Sequence, residues 1–194
     1  MSTVATTALT GEDLLVLPDD AVERDIIRGE LRERPVTRRN PGHSTAMTRL
    51  ARFLDQWLDG RPQPQGRVLA GDAAFRLGKD PETTVGIDVA YVSYEQSVAA
   101  PIGAALVEGP PLLAAEILSP SDTHEGVVEK PQLYLDLGVA AMWILDPDLR
   151  TVTVHRRDAD PAFFNAAQEL TGDPELPGFR VRVVDLFGRA PLNI

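Results

Sequence analysis

An ionised carboxylate inside an apolar strand must be paired, bound to a cation or protonated, because stripping it of water is costly. Two such acids constrain this chain. Pro111-Leu-Leu-Ala-Ala-Glu-Ile-Leu118 is a nearly continuous apolar run, the pattern of a buried central strand, and Glu116 is its one charge. Val85-Gly-Ile-Asp-Val-Ala-Tyr-Val92 is a second strand pattern, with Asp88 inside it. If these strands are neighbours, the two carboxylates can converge on one hard cation. Mg2+ is held by one or two carboxylates together with waters and substrate phosphate. A lysine close by would orient or deprotonate a water, or neutralise charge on a phosphate. The plainer alternative is a pair of strand-end acids or structural salt-bridge partners, since isolated acids in strands are common.

The rest of the sequence reads as alternating helices and strands. Thr10 and Asp13 have the spacing of a capped short helix, which Pro18 ends. Val22–Ile27 and Glu30–Arg34 flank Arg28 and Gly29 as a tight hairpin. Asn40 and Pro41 open the clearest helix, whose apolar stripe is Met47, Leu50, Ala51, Leu54, Trp57 and Leu58, with Gly60 and Pro62 at its end. Arg67–Ala70 and Ala73–Leu77 read as two strands, and 94–110 as a loop. Asp122 followed by Glu125 has the spacing of a helix cap, with the helix running to about Leu137 and closed by Gly138. Ala141–Leu145 and Thr151–His155 are strands around the Asp146–Arg150 turn, and Arg180–Val184 is an exposed-face strand.

Composition sets limits on function. The length of 194 residues fits one domain, expected over 11–194 behind a frayed segment 1–10. With no cysteine, disulfides, thiolate chemistry and Cys-based zinc sites are excluded. That fits a reducing cytoplasm. No run approaches the roughly 18 apolar residues of a membrane helix, and the first residues do not read as a secretory signal. The net charge of −10 counts against a broad basic surface for nucleic acid, while leaving room for a local basic groove.

At the second acid the sequence resembles a known family. Glu116-Ile-Leu-Ser-Pro-Ser-Asp-Thr123, Glu129-Lys130, Tyr134, Gly138-Val139, Trp143-Ile-Leu-Asp-Pro147 and Arg150-Thr-Val-Thr-Val154 look like the Uma-two family of restriction endonuclease-like proteins. Pro177-Gly-Phe179 and Asp185-Leu-Phe187 continue the likeness, and Gly29-Glu-Leu31, His43 and Asp88-Val89 extend it upstream. The resemblance implies a PD-(D/E)XK nuclease fold: an α/β, restriction-endonuclease-like core with a mixed central sheet flanked by helices, here behind an N-terminal β-hairpin. It also implies Mg2+-dependent phosphodiester hydrolysis, with Mn2+ as a substitute. Asp88 and Glu116 would be the metal-binding acids, with the Ile117 carbonyl as a further ligand. In the superfamily motif the lysine lies two residues after the second acid, where this chain has Leu118. In this family the lysine has moved to the following helix, which points to Lys130, with Tyr134 on the same helical face. Pro131 follows directly, so that helix either kinks there or begins there. DNA as substrate and a homodimer that brings two sites to two strands also follow from the resemblance.

The remaining candidates are auxiliary. His43, at the start of the long helix, is either a phosphate contact or general acid, or a solvent-exposed histidine. Glu30 is a candidate third acid or a strand-surface glutamate. Ser119 and Ser121 lack a nucleophile elbow and suit a turn and cap. His124 and His155 read as surface residues. Two other functions stay open: a non-catalytic binding protein that keeps the nuclease fold, and a metal-dependent hydrolase of smaller phosphates.

Overall fold

The computed structural model describes residues 9–18, 22–35, 40–120 and 124–188. Its first hairpin pairs β1 (Val22–Ile27) with β2 (Glu30–Pro35) in antiparallel register, Ile27 opposite Glu30. Arg28 and Gly29 join the strands with φ of 54° and 80°, the two positive values that match strand twist in a two-residue turn. Replacing Gly29 by alanine is expected to cost about 1 kcal/mol, because a Cβ is strained at that φ. The check is a lower urea midpoint at unchanged slope.

Before the hairpin, α1 (Gly11–Leu15) carries the expected Thr10–Asp13 capping box and ends short of Pro18. Next comes α2 (Pro41–Asp59), capped by Asn40, whose side chain accepts from the His43 amide, and closed at Gly60. Its stripe buries Ala46, Leu50, Leu54 and Leu58. The two strands read over 67–77 are one, β3 (Arg67–Lys79), which follows β4 (Glu82–Val92) throughout. A bulge between Ala70 and Ala73 interrupts the ladder, with Gly71 and Asp72 at φ of 98° and 67°. The sequence shows the bulge as a gap, since its two residues break the apolar pattern without ending the strand. The 94–110 segment is also more ordered than a loop. It holds α3 (Tyr94–Ala99), with a Ser93–Gln96 capping box, and β5 (Val107–Glu108).

The central strand β6 (Leu113–Ile117) lies between β4 and β7 (Ala141–Asp146), antiparallel to the first and parallel to the second. The parallel crossover is α4 (His124–Asp136), which runs through Pro131 rather than starting there. The expected cap at Asp122 lies outside the described residues, as does most of the 1–10 segment. The sheet continues through β8 (Thr151–Arg156) and β9 (Ala162–Phe164). A separate pair, β10 (Glu169–Thr171) and β11 (Arg180–Arg182), precedes α5 (Val183–Leu186), so the strand expected over 180–184 is shorter and turns into a helix. The main sheet has nine strands among the described residues, ordered β2-β1-β4-β6-β7-β8-β9, with β3 and β5 attached to β4.

Each face of the sheet carries its own core. On one, α2 packs with Trp143, Phe179 and α5 over Val89 and Ala115. On the other, Tyr134 and Leu135 of α4 pack with Phe75, Ile87 and Met142. The architecture is a mixed α/β fold: a large, mostly antiparallel sheet with helices against it. Among the described residues no helix is long and apolar enough to cross a membrane.

Candidate active site

The site lies where the central sheet divides. On the side away from β3, β4 pairs first with β1, through Ile26 and Thr84, and then with β6, from Val89 and Ala115 onward. Between Thr84 and Val89 that edge of β4 has neither strand as a registered partner, so its polar backbone groups need side chains. Asp25 of β1 accepts from the Gly86 N–H at 3.2 Å. Across the gap, Asp88 accepts from the Ile117 N–H at 2.9 Å. The first acid is therefore built into the gap itself.

Asp88 is buried, and its Oδ2 also lies 3.2 Å from Nε2 of His43. A carboxylate only accepts, so Nε2 carries the proton in this contact. His43 is buried against Asp88, not exposed at the helix start.

Glu116 is one position past the last registered β4–β6 pair and faces α4. Its Oε2 is 2.8 Å from the Lys130 ammonium, and the Tyr134 hydroxyl donates to its Oε1 at 3.2 Å. Tyr134 is fully buried in the sheet-facing core, and Lys130 sits one turn earlier on the same face. The packing of Tyr134 thus carries Lys130 to the acid, with its ammonium 5.5 Å from the tyrosine ring centre. Pro131 does not turn the lysine away.

Charge in this cluster is strongly coupled. Burial pushes the Glu116 carboxyl up to about 7, with Lys130 pulling it down and the Asp88 charge adding to the rise. Burial works against the Lys130 ammonium, yet Glu116 and Asp25 hold its pKa above the ordinary lysine range. Burial, followed by the charges of Glu116 and Asp25, raises Tyr134 well above its ordinary value.

The residues expected at the site divide in two. Asp88, Glu116, Ile117, Lys130, Tyr134 and His43 come together. Glu30 stands at the hairpin turn, 72% exposed and paired with Arg32 at 3.2 Å. The third acid brought to the gap is Asp25, only 7% exposed, whose Oδ2 takes the Arg34 guanidinium at 2.9 Å. Strand alternation places Asp25 on one face of the hairpin with Glu23. No local pattern, however, says that this face borders β4. Ser121 and the His124 side chain lie outside the described residues, and His155 is on β8, its pKa lowered by burial.

The donors suit a hard divalent cation. Asp88 and Glu116 lie just past the last registered β4–β6 pair on adjoining strands, and Ile117, whose N–H binds Asp88, follows Glu116 directly. Burial raises the Glu116 carboxyl first and the Asp88 charge adds to it, and a dication there would favour the ionised form. No group of three or more His, Asp or Glu side chains placed to hold a metal ion occurs among the described residues. Two carboxylates and a carbonyl would leave positions on a bound ion for water and substrate.

The same fold occurs in a crystal structure from Anabaena variabilis, described as "a putative nuclease belonging to DUF820". It superposes with a TM-score of 0.74 at 20% identity, over 92% of this chain and 97% of that one. No curated protein matches the sequence. A family model does match, over residues 12–184, and the chain belongs to that family: Uma2, described as "Putative restriction endonuclease".

Proposed function

We propose that this chain is a Mg2+-dependent phosphodiesterase that cleaves DNA, with Mn2+ able to replace Mg2+. The observation that carries the reading is the Lys130 ammonium held 2.8 Å from Glu116, beside the gap that Asp88 occupies. Lys130 of α4 pairs with Glu116 of β6, and the next residue, Ile117, donates to Asp88 of β4. Family membership supports the same reaction class. A bound ion would polarise a phosphoryl oxygen and lower the pKa of a water.

Asp88, Glu116 and the Ile117 carbonyl would hold that ion. His43 fixes the direction of the Asp88 carboxylate through Nε2–H, and Tyr134 does the same for Glu116. Because Glu116 and Asp25 keep the Lys130 proton in place, the lysine acts as a fixed positive charge opposite the developing phosphate charge, not as the base. Cutting both strands of a duplex calls for a second site, so a homodimer belongs to this proposal, as does a cytoplasmic setting.

The test is calorimetric titration with Mn2+ combined with cleavage of a labelled duplex. One ion per chain and metal-dependent cleavage are expected; no binding at millimolar Mn2+ overturns the reading. A pH dependence accompanies it. With Glu116 titrating near 7, metal must displace its proton at lower pH. Affinity should weaken toward about tenfold per pH unit below 7 and level off above about 8. Titrations in buffers of different ionisation enthalpy should register about one proton released per ion at pH 6 and almost none at pH 8.5.

A second reading, hydrolysis of small phosphates or mononucleotides, draws on the net charge of −10, which repels a long polyanion. Comparing oligonucleotides with mononucleotides in Mg2+ separates the two.

A further inference from the structure

We propose that Asp25, on the N-terminal hairpin, is a positioning residue of this site, acting through its bond to Gly86 to hold the stretch of β4 that carries Asp88. The inference rests on the nuclease reading for its activity readout and on geometry for its substance.

Between Thr84 and Val89, β4 has β3 on one side, with the bulge opposite Asp88, and no registered strand partner on the other. Asp88 lies within this half-supported stretch. Gly86, two residues earlier, has both backbone groups turned to side chains. Its N–H donates to Asp25 at 3.2 Å, and its carbonyl lies 3.5 Å from the Tyr134 hydroxyl. The one proton of that hydroxyl is shared between this carbonyl and Glu116, the closer acceptor at 3.2 Å. The Gly86 peptide groups therefore stand between the hairpin acid and the second acid of the site.

Side-chain space at Gly86 is already taken. A Cβ there would lie 2.4 Å from Oδ1 of Asp72, which sits in the β3 bulge. With the β3 side crowded, the hydrogen bond from the Gly86 N–H to Asp25 is what ties Gly86 across the open side. A buried acid facing a backbone N–H has a structural cost that alternation on an ordinary hairpin would not impose, since a polar strand face normally points to water. Here the other carboxylate oxygen meets Arg34 at 2.9 Å, so the charge is compensated while the inner oxygen serves β4.

The role is separable from that of a metal ligand. The two oxygens of Asp25 are engaged by Gly86 and Arg34. Its hydrogen bond to the site runs through the backbone of β4.

The experiment compares Asp25→Ser and Arg34→Met with the wild-type chain. Three quantities are read: Mn2+ affinity, kcat and KM on a duplex, and hydrogen exchange at the Gly86 amide. Asp25→Ser should weaken Mn2+ binding and lower kcat by about 10–100-fold, the usual effect of losing a group that orients ligands, with KM little changed. Gly86 exchange should accelerate. Arg34→Met leaves the Asp25–Gly86 bond in place, so it should keep Gly86 protection and wild-type Mn2+ affinity. Unaltered Mn2+ affinity in Asp25→Ser, or an equal loss in Arg34→Met, overturns the proposal. If Asp25→Ser does not fold, Asp25→Asn takes its place. Its amide oxygen still accepts from the Gly86 N–H, so Mn2+ affinity near wild type is expected with Gly86 protection kept, and a loss of Mn2+ affinity with that protection intact is then the overturning result. A wild-type chain that binds no Mn2+ defeats the nuclease reading, whereas Gly86 protection that is insensitive to Asp25→Ser defeats this inference alone.

Discussion

Asp88→Asn is expected to abolish metal-dependent cleavage, lowering kcat by about 10^3-fold or more, the scale of several kcal/mol of lost charge stabilisation. The substitution is nearly isosteric. Its amide oxygen can still accept from the Ile117 N–H, the bond of 2.9 Å that closes the gap between β4 and β6. What disappears is the negative charge, and with it one of two anionic ligands. The His43 contact also changes, because Nε2–H would face an amide instead of a carboxylate. Circular dichroism and thermal melting should show a folded protein near wild-type stability, while Mn2+ titration shows little or no heat. A folded Asp88→Asn variant that cleaves at the wild-type rate would remove Asp88 from the chemistry.

Lys130→Met should lower kcat by about 10^2–10^3-fold, the usual consequence of deleting one aligned charge in a dry site. Its effect on stability depends on pH. Glu116 loses the partner that opposes its burial, so its carboxyl rises above the present value of about 7. A carboxyl whose folded pKa exceeds its ordinary value of 4.5 binds more protons in the folded state than in the unfolded one. Stability then falls as pH climbs between those two pKa values, by up to about 1.4 kcal/mol per pH unit. The variant should melt close to wild type at pH 6 and well below it at pH 8.5. Mn2+ affinity should need a higher pH to reach its plateau. Melting curves and titrations across that range check both points, and an unchanged pH profile would dissociate Lys130 from Glu116.

The site was legible where chemistry conflicts with its surroundings. Asp88 and Glu116 stand out because a charge inside an apolar strand is anomalous. The long α2 stripe and the Arg28–Gly29 turn follow from local periodicity and backbone preference, and the structure places both as read. Asp25 was not legible, because its role depends on which strand lies beside β1, and pairing across distant segments leaves no local mark. His43 was ambiguous for a similar reason: the Asn40 cap shows that α2 starts there, but not that its first turn abuts β4. The short elements α3, β5 and α5 escaped because too few residues repeat for a period to emerge. Lys130 could be named only by family likeness, since its direction is set by how Tyr134 packs.

Placing the lysine on α4 loosens a spacing constraint. A lysine on the same strand as the acid, two residues on, is tied to it by a rigid backbone, and no insertion between them is tolerated. Here position 118 is leucine, and the cation comes from a separate element, α4, which begins at His124. The connection can therefore change length without moving either group, provided α4 keeps its seat. In return, the distance between cation and acid becomes a property of helix docking. Substitutions at Leu135 or Met142, which touch neither the acids nor the lysine's charge, should then act on the reaction by shifting the helix against the sheet. Natural variation in such a lineage would be expected to be permissive between β6 and α4 and restrictive along the buried face of α4.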